Sequence, residues 1–156
     1  MILEEVSVAA PPDDVALLRR MLEIESPSGG ERPLAKYLCA EMAHRGLRAH
    51  LDAAGNAVGE VGEAGPLVVL LGHMDTAPGR VPVRREGDLL YGRGAVDAKG
   101  PLAAFICAAA RLGRDAGVRV AVSGAVEEES ATSSARAATL TASSICAQVA
   151  AMLPPM

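Results

Sequence analysis

Two short aliphatic runs constrain this chain most. Leu67-Val68-Val69-Leu70-Leu71 is framed by Gly65-Pro66 and Gly72, and Val118-Arg119-Val120-Ala121-Val122 is followed by Ser123-Gly124. A continuous apolar run of this length between turn residues reads as a strand buried on both faces. Between the runs, the Ala-rich stretch from Pro101 to Arg114 carries proline in its first turn and predicts a helix. Strand, helix, strand in this order predicts a crossover unit, and therefore an α/β fold with a mostly parallel sheet.

The flanking segments fit that scheme. Pro11-Pro12-Asp13-Asp14 predicts a helix start with an aspartate cap, and Val15, Leu18 and Leu22 follow one face. Ser26-Pro27-Ser28-Gly29-Gly30 ends that helix. Glu31 to Arg45 predicts a second helix, with Gly46 as its terminator. Leu47 to Asp52 and Ala57 to Val61 read as strands, and Gly87-Asp88 as a hairpin turn. After Ser130 the chain becomes rich in Ala, Ser and Thr, with one weak helical stretch from Ile145 to Leu153. Residues 1–130 are therefore expected to form one structured unit, and 131–156 a poorly ordered tail.

Composition narrows the function. The 156 residues suit one domain, and half of them are apolar. With no Trp, one Phe and two Tyr, the core must be built from Ala, Leu and Val. A net charge of −4 argues against a nucleic-acid or acidic-membrane partner. No apolar stretch reaches the ~18 to 20 residues of a membrane span, and Met1-Ile2-Leu3-Glu4-Glu5 does not open like a secretory signal. Cys39, Cys107 and Cys146 are odd in number, and the first two fall on apolar helical faces. Cys39 and Cys107 read as reduced core residues of a cytoplasmic protein.

The chemistry-bearing residues stand where the runs end. His73 and Asp75 follow the first, and Glu127-Glu128-Glu129 follow the second. Asp97 lies between them in the glycine-flanked loop Gly92-Arg93-Gly94-Ala95-Val96-Asp97-Ala98-Lys99-Gly100. Open α/β sheets build their sites at the carboxyl ends of strands. An imidazole there is a good metal ligand, and Asp75 is placed to take its other N–H and fix the tautomer. Asp97 offers two oxygens, enough to bridge two cations. Consecutive glutamates after a strand point in different directions, so one can bind metal while its neighbour faces bound water. A cation lowers the pKa of its water to about 7, and a carboxylate then takes the proton. His44 and His50 read as incidental. The glycine loop is a poor dinucleotide fingerprint, because Asp97 stands where a third glycine belongs.

Together these residues resemble the acetylornithine deacetylase, succinyl-diaminopimelate desuccinylase and carboxypeptidase G family of dizinc hydrolases. The motifs are Gly72-His73-Met74-Asp75-Thr76, the Gly92–Gly100 loop and the Glu127–Glu129 cluster. Ile24 to Glu31 and Ala54 to Gly59 share the look, which is nearest to hydrolases that free lysine or ornithine from an amino-group carrier protein. The resemblance implies a zinc-exopeptidase-like sandwich and two divalent metal ions, zinc or cobalt. It implies an acylated lysine or ornithine substrate on a small acidic carrier, and homodimers among full-length relatives. His73, Asp97 and Glu129 would be metal ligands, Asp75 the catalytic acidic partner of His73, and Glu128 the general base. The rival register, Glu127 as base and Glu128 as ligand, stays open.

Members of that family are more than twice as long and carry a second domain with further ligands. Residues 1–130 are accordingly expected to be the N-terminal part of an incomplete catalytic domain, ending in a truncation or frame slip near Ser130. Two other outcomes follow from the same resemblance: an inactive fragment, or a zinc carboxypeptidase or aminoacylase with another substrate.

Overall fold

The computed structural model describes residues 12–113 and 117–130. In chain order the elements are helices α1 (Pro12–Glu23) and α2 (Arg32–His44), then strands β1 (Arg48–Leu51), β2 (Ala57–Val61) and β3 (Leu67–His73). A hairpin of β4 (Arg84–Glu86) and β5 (Leu89–Tyr91) follows, then helix α3 (Lys99–Leu112) and strand β6 (Arg119–Ala125). The expected helical stretch near Ile145 lies outside the described residues, as does the whole of 131–156.

The fold is α/β, but the sheet is not mostly parallel. Its order is β1-β2-β6-β3, and only the β3–β6 pair is parallel. The crossover through α3 was legible because it is local. The antiparallel pairing of β2 with β6 joins strands far apart in sequence, and nothing in either strand announces its partner's direction.

The two aliphatic runs also differ in burial. β6 is central and buried along nearly its whole length. β3 has a strand neighbour on one side only among the described residues, and Val68 and Leu71 are 43% and 50% exposed. A run's composition records what a strand can bury, not whether its second neighbour exists.

α2 and α3 lie against the same face of the sheet. A Cβ built on Gly59 of β2 would meet Met42 of α2, and one on Gly72 or Gly124 would meet Leu102 of α3. Glycines on that face let the helices settle close to the strands. Leu17, Met21, Leu34, Leu38, Met42, Leu102, Ile106 and Val122 fill the space between. Burying each aliphatic side chain stabilises the fold by roughly 1.5 to 3 kcal/mol before entropy is counted.

Asp14 does not cap α1, which begins at Pro12. It lies within the first turn, where its carboxylate pairs with Arg45 at 3.2 Å and with Arg111. That places an ion-pair junction where α1, the end of α2 and the end of α3 meet. Cys39 and Cys107 are both free thiols, as expected. No helix among the described residues is long and apolar enough to cross a membrane.

A candidate metal centre at the strand ends

β3 and β6 run parallel in register, so His73 stands beside Ala125, and the acidic turn begins two residues on at Glu127. The Asp97 loop arrives at the same rim from the start of α3. His73 Nε2 is 3.1 Å from Asp97 Oδ1 and 3.8 Å from Glu128 Oε2. His73, Asp97 and Glu129 each offer a ligand atom, all within 4.8 Å of one another. Asp97 and Glu129 are exposed, whereas the His73 side chain is mostly buried.

The tautomer of His73 follows from its partners. Nδ1 lies 3.0 Å from the Asp75 carbonyl oxygen and 3.3 Å from that residue's carboxylate. Both are acceptors, so Nδ1 carries the hydrogen and Nε2 faces the carboxylates. Burial pulls the imidazole pKa down. The Asp97 hydrogen bond and the charges of Glu128 and Asp75 outweigh it, and the net position is above the ordinary 6.5.

Asp75 does more than orient His73. It is fully buried, and its carboxylate accepts from Ser28 Oγ at 2.7 Å, Glu128 N at 3.1 Å and Glu129 N at 2.8 Å. Two further side chains hold the same turn. Asn56 Oδ1 accepts from Val126 N at 3.0 Å, and Glu31 Oε1 accepts from Glu127 N at 2.9 Å. The glutamates therefore do not continue the extended path of β6. Glu127 has φ 59°, a left-handed conformation, and the chain turns there.

Ser28, Glu31, Asn56 and Asp52 were given no role by the sequence reading, although most of them lie in segments that carry the resemblance. One signal was available: Asp-x-x-Gly-Asn is an Asx-turn pattern. Asp52 Oδ1 indeed accepts from the backbone N–H groups of Ala54, Gly55 and Asn56, each at 2.9 Å.

The Asp97 loop is braced by close packing. A Cβ on Gly100 would fall 2.3 Å from the Ala95 carbonyl oxygen, a backbone atom that no rotamer change can move. Gly100→Ala is expected to displace residues 95–97 and destabilise the protein by about 1 to 3 kcal/mol. Urea denaturation, together with metal titration, measures both effects. An unchanged midpoint and affinity would contradict this packing.

An open cleft of about 540 Å³ adjoins the cluster and is lined by Asp97 and Glu129 with Val81, Leu89, Tyr91 and Val96. A larger cleft of about 820 Å³ contains none of the clustered donors. The donor chemistry, not the volume, locates the site. One imidazole nitrogen and two carboxylates fit a divalent zinc- or cobalt-type ion, which accepts mixed nitrogen and oxygen ligands.

An α/β scaffold with an imidazole and carboxylates converging at the ends of parallel strands defines a candidate metal-binding protein of the hydrolase type. The sequence profile of peptidase family M20/M25/M40 matches residues 69–150, and the chain belongs to that family. It is similar to a putative [LysW]-lysine/[LysW]-ornithine hydrolase of Pyrococcus abyssi, 42% identical over 81% of this chain and 37% of that protein. It is also similar to a [LysW]-lysine hydrolase of Deinococcus radiodurans, 50% identical over 75% of this chain and 33% of that protein. Among solved structures, an M20-family metallo-carboxypeptidase from Sulfolobus solfataricus superposes with a TM-score of 0.63. It is 26% identical and aligns with 76% of this chain and 32% of its own. The chain spans about a third of the length of these relatives.

Proposed function

We propose that this chain supplies metal ligands and a general base to a metal-dependent hydrolase that releases lysine or ornithine from an amide link to a carrier protein. The observation that carries this reading is the convergence of His73, Asp97 and Glu129, with Glu128 beside them. The substrate class rests on the names of the Pyrococcus and Deinococcus relatives.

In this reading His73, Asp97 and Glu129 would hold divalent metal ions, zinc or cobalt. When bound, the ions polarise the scissile carbonyl and lower the pKa of water. Glu128 is exposed, and its carboxylate lies 3.8 Å from His73 Nε2. That carboxylate would take a proton from the attacking water and pass it to the leaving amine. Asp75 keeps the Nδ1 hydrogen of His73 in place, so that Nε2 presents its lone pair. The apolar wall of Val81, Leu89 and Val96 suits the methylene stem of lysine or ornithine.

Titration of the metal-free chain with Zn²⁺ and Co²⁺ tests the site. Glu129→Gln is expected to weaken binding by more than the roughly 100-fold that loss of a merely supporting contact can cost. Binding unaffected by that change would remove Glu129 from the ligand set. Hydrolysis of a lysine-charged carrier protein, set against a dipeptide and acyl-amino-acid panel, tests the substrate. Loss of turnover with Glu128→Gln and with chelator is the expected result. Turnover only on dipeptides would favour a carboxypeptidase.

The raised pKa of His73 sets a pH dependence. Proton and metal compete for Nε2, so affinity is expected to fall as pH drops through that value, with proton release on binding. In the metal-free protein the sign reverses. The stability His73 contributes is complete below the ordinary 6.5 and is lost as pH rises through the raised value. Calorimetric titration across this range, in buffers of different ionisation enthalpy, checks both.

A further inference from the structure

We propose that Glu31 and Asn56 are positioning residues that set the register of the acidic turn and so decide which glutamates face His73. The inference rests on the metal-site reading above.

The turn has an unusual hydrogen-bond pattern. Four consecutive backbone N–H groups, those of Val126, Glu127, Glu128 and Glu129, all donate to side-chain oxygens from distant segments. The acceptors are Asn56 Oδ1, Glu31 Oε1, Asp75 Oδ1 and Asp75 Oδ2. All three acceptor residues are buried, at 0%, 4% and 0% exposure for Asn56, Glu31 and Asp75. The turn's own glutamate side chains are exposed. Its backbone thus faces inward onto fixed acceptors, while its charges face outward.

Three adjacent glutamates could serve chemistry in two registers, because their side chains are identical. Side-chain identity cannot choose between the registers, but backbone placement can. Glu31 holds the N–H of Glu127, the one described non-glycine residue with positive φ. That left-handed conformation costs on the order of 1 kcal/mol or more and persists only when its surroundings impose it. Glu31 is itself anchored, since the same Oε1 accepts from Gly29 N at 3.0 Å.

Asn56 holds the step before. Its Nδ2 donates to Asp52 Oδ2 at 2.9 Å, which orients Oδ1 toward Val126 N. An aspartate at this position would set its second oxygen against the Asp52 carboxylate. Neither Glu31 nor Asn56 belongs to the ligand cluster, so both act through the main chain of the turn.

The test uses the full chain with Co²⁺ as probe, read by calorimetry and by the visible absorption of the bound ion. Backbone amide exchange at residues 126–129 is measured without metal. Far-UV circular dichroism and urea denaturation establish that each variant is folded. Glu31→Ala and Asn56→Asp are expected to bind Co²⁺ about 10- to 100-fold more weakly, with an altered absorption band. Glu31→Gln keeps the acceptor oxygen and is expected to stay within about twofold of the unmodified chain, since it preserves the supporting contact. Glu31→Asp keeps the charge but is shorter by one methylene. It should behave like Glu31→Ala, and it serves if the alanine variant does not fold. Exchange at 126–129 should accelerate in the weak binders while amides of α3 stay protected. Folded Glu31→Ala or Glu31→Asp with native Co²⁺ affinity and native exchange at 126–129 overturns the proposal. If the unmodified chain binds no Co²⁺, the metal-site reading fails. The exchange data then still decide whether Glu31 and Asn56 hold the turn.

Discussion

Replacing Asp75 with alanine is expected to destabilise the protein by roughly 3 to 5 kcal/mol and to reduce metal affinity at least 10-fold. One buried carboxylate accepts from the Ser28 hydroxyl and from the backbone N–H groups of Glu128 and Glu129, and it also lies beside His73 Nδ1. Alanine leaves those donors facing an apolar void. A charged hydrogen bond contributes about 1.5 to 3 kcal/mol, and an orphaned buried donor carries its own desolvation penalty. Asp75→Asn separates shape from charge. Whichever oxygen becomes an amide nitrogen confronts at least one N–H or O–H donor, so this variant is expected to lose about half as much stability while still binding metal poorly. Urea denaturation of the metal-free protein and Co²⁺ titration measure the two losses. Native values for both in Asp75→Ala would show that the turn holds itself.

This residue also marks where the sequence stops being readable. The convergence of His73, Asp97 and Glu129 could be anticipated because chemistry-bearing side chains at strand ends and in glycine loops are a local pattern. The partnership of Asp75 with His73 was equally local, two residues apart. Its hold on Glu128 and Glu129 was not, because it acts on backbone N–H groups, which every residue but proline has. Glu31 shows the same limit. It stands at the N-cap position of α2 but makes no cap with its side chain, and reaches a turn ninety-six residues away.

The fold divides in the same manner. α2 was expected from Glu31 to Arg45 and spans Arg32–His44, since helical periodicity and Gly46 are local signals. The β4–β5 hairpin turns at Gly87-Asp88 for the same reason. The edge position of β3 and the antiparallel β2–β6 pairing depend on which strands meet, and their apolar composition suits either outcome. The aspartate cap expected for α1 is not formed by Asp14, because a carboxylate near a helix start suits a cap and an ion pair equally well. The arginines that claim it come from two other helical ends.

Lys99 gives the other large effect expected, and it carries a pH signature. It is 1% exposed at the start of α3, and its Nζ donates to the carbonyl oxygens of Met21 at 3.0 Å and Ile24 at 2.8 Å. Those carbonyls belong to the end of α1, where the last turn has no intrahelical donors. The ammonium therefore closes one helix from the start of another and tethers the Asp97 loop to α1. Its stem runs past Gly94, where a Cβ would fall 3.2 Å from Lys99 Cδ. Burial nevertheless disfavours the charge and, against the opposing pull of Glu25, brings the pKa down from 10.5 to about 8. Lys99→Ala is expected to cost about 4 kcal/mol, from the cavity and two orphaned carbonyls together. Lys99→Met fills most of the volume and should lose less, because it also removes a buried charge. The sign of the pH effect follows from the lowered value. Between about 8 and 10.5 the unfolded chain keeps its proton while the folded chain has released it, so Lys99 makes stability rise with pH across that window. Below about 8 both states are protonated and the contribution is flat. Lys99→Met should therefore lack the rising limb that the unmodified protein shows in urea midpoints taken from neutral to alkaline pH. Parallel curves for the two proteins would mean that the two carbonyls hold the ammonium as firmly as water does.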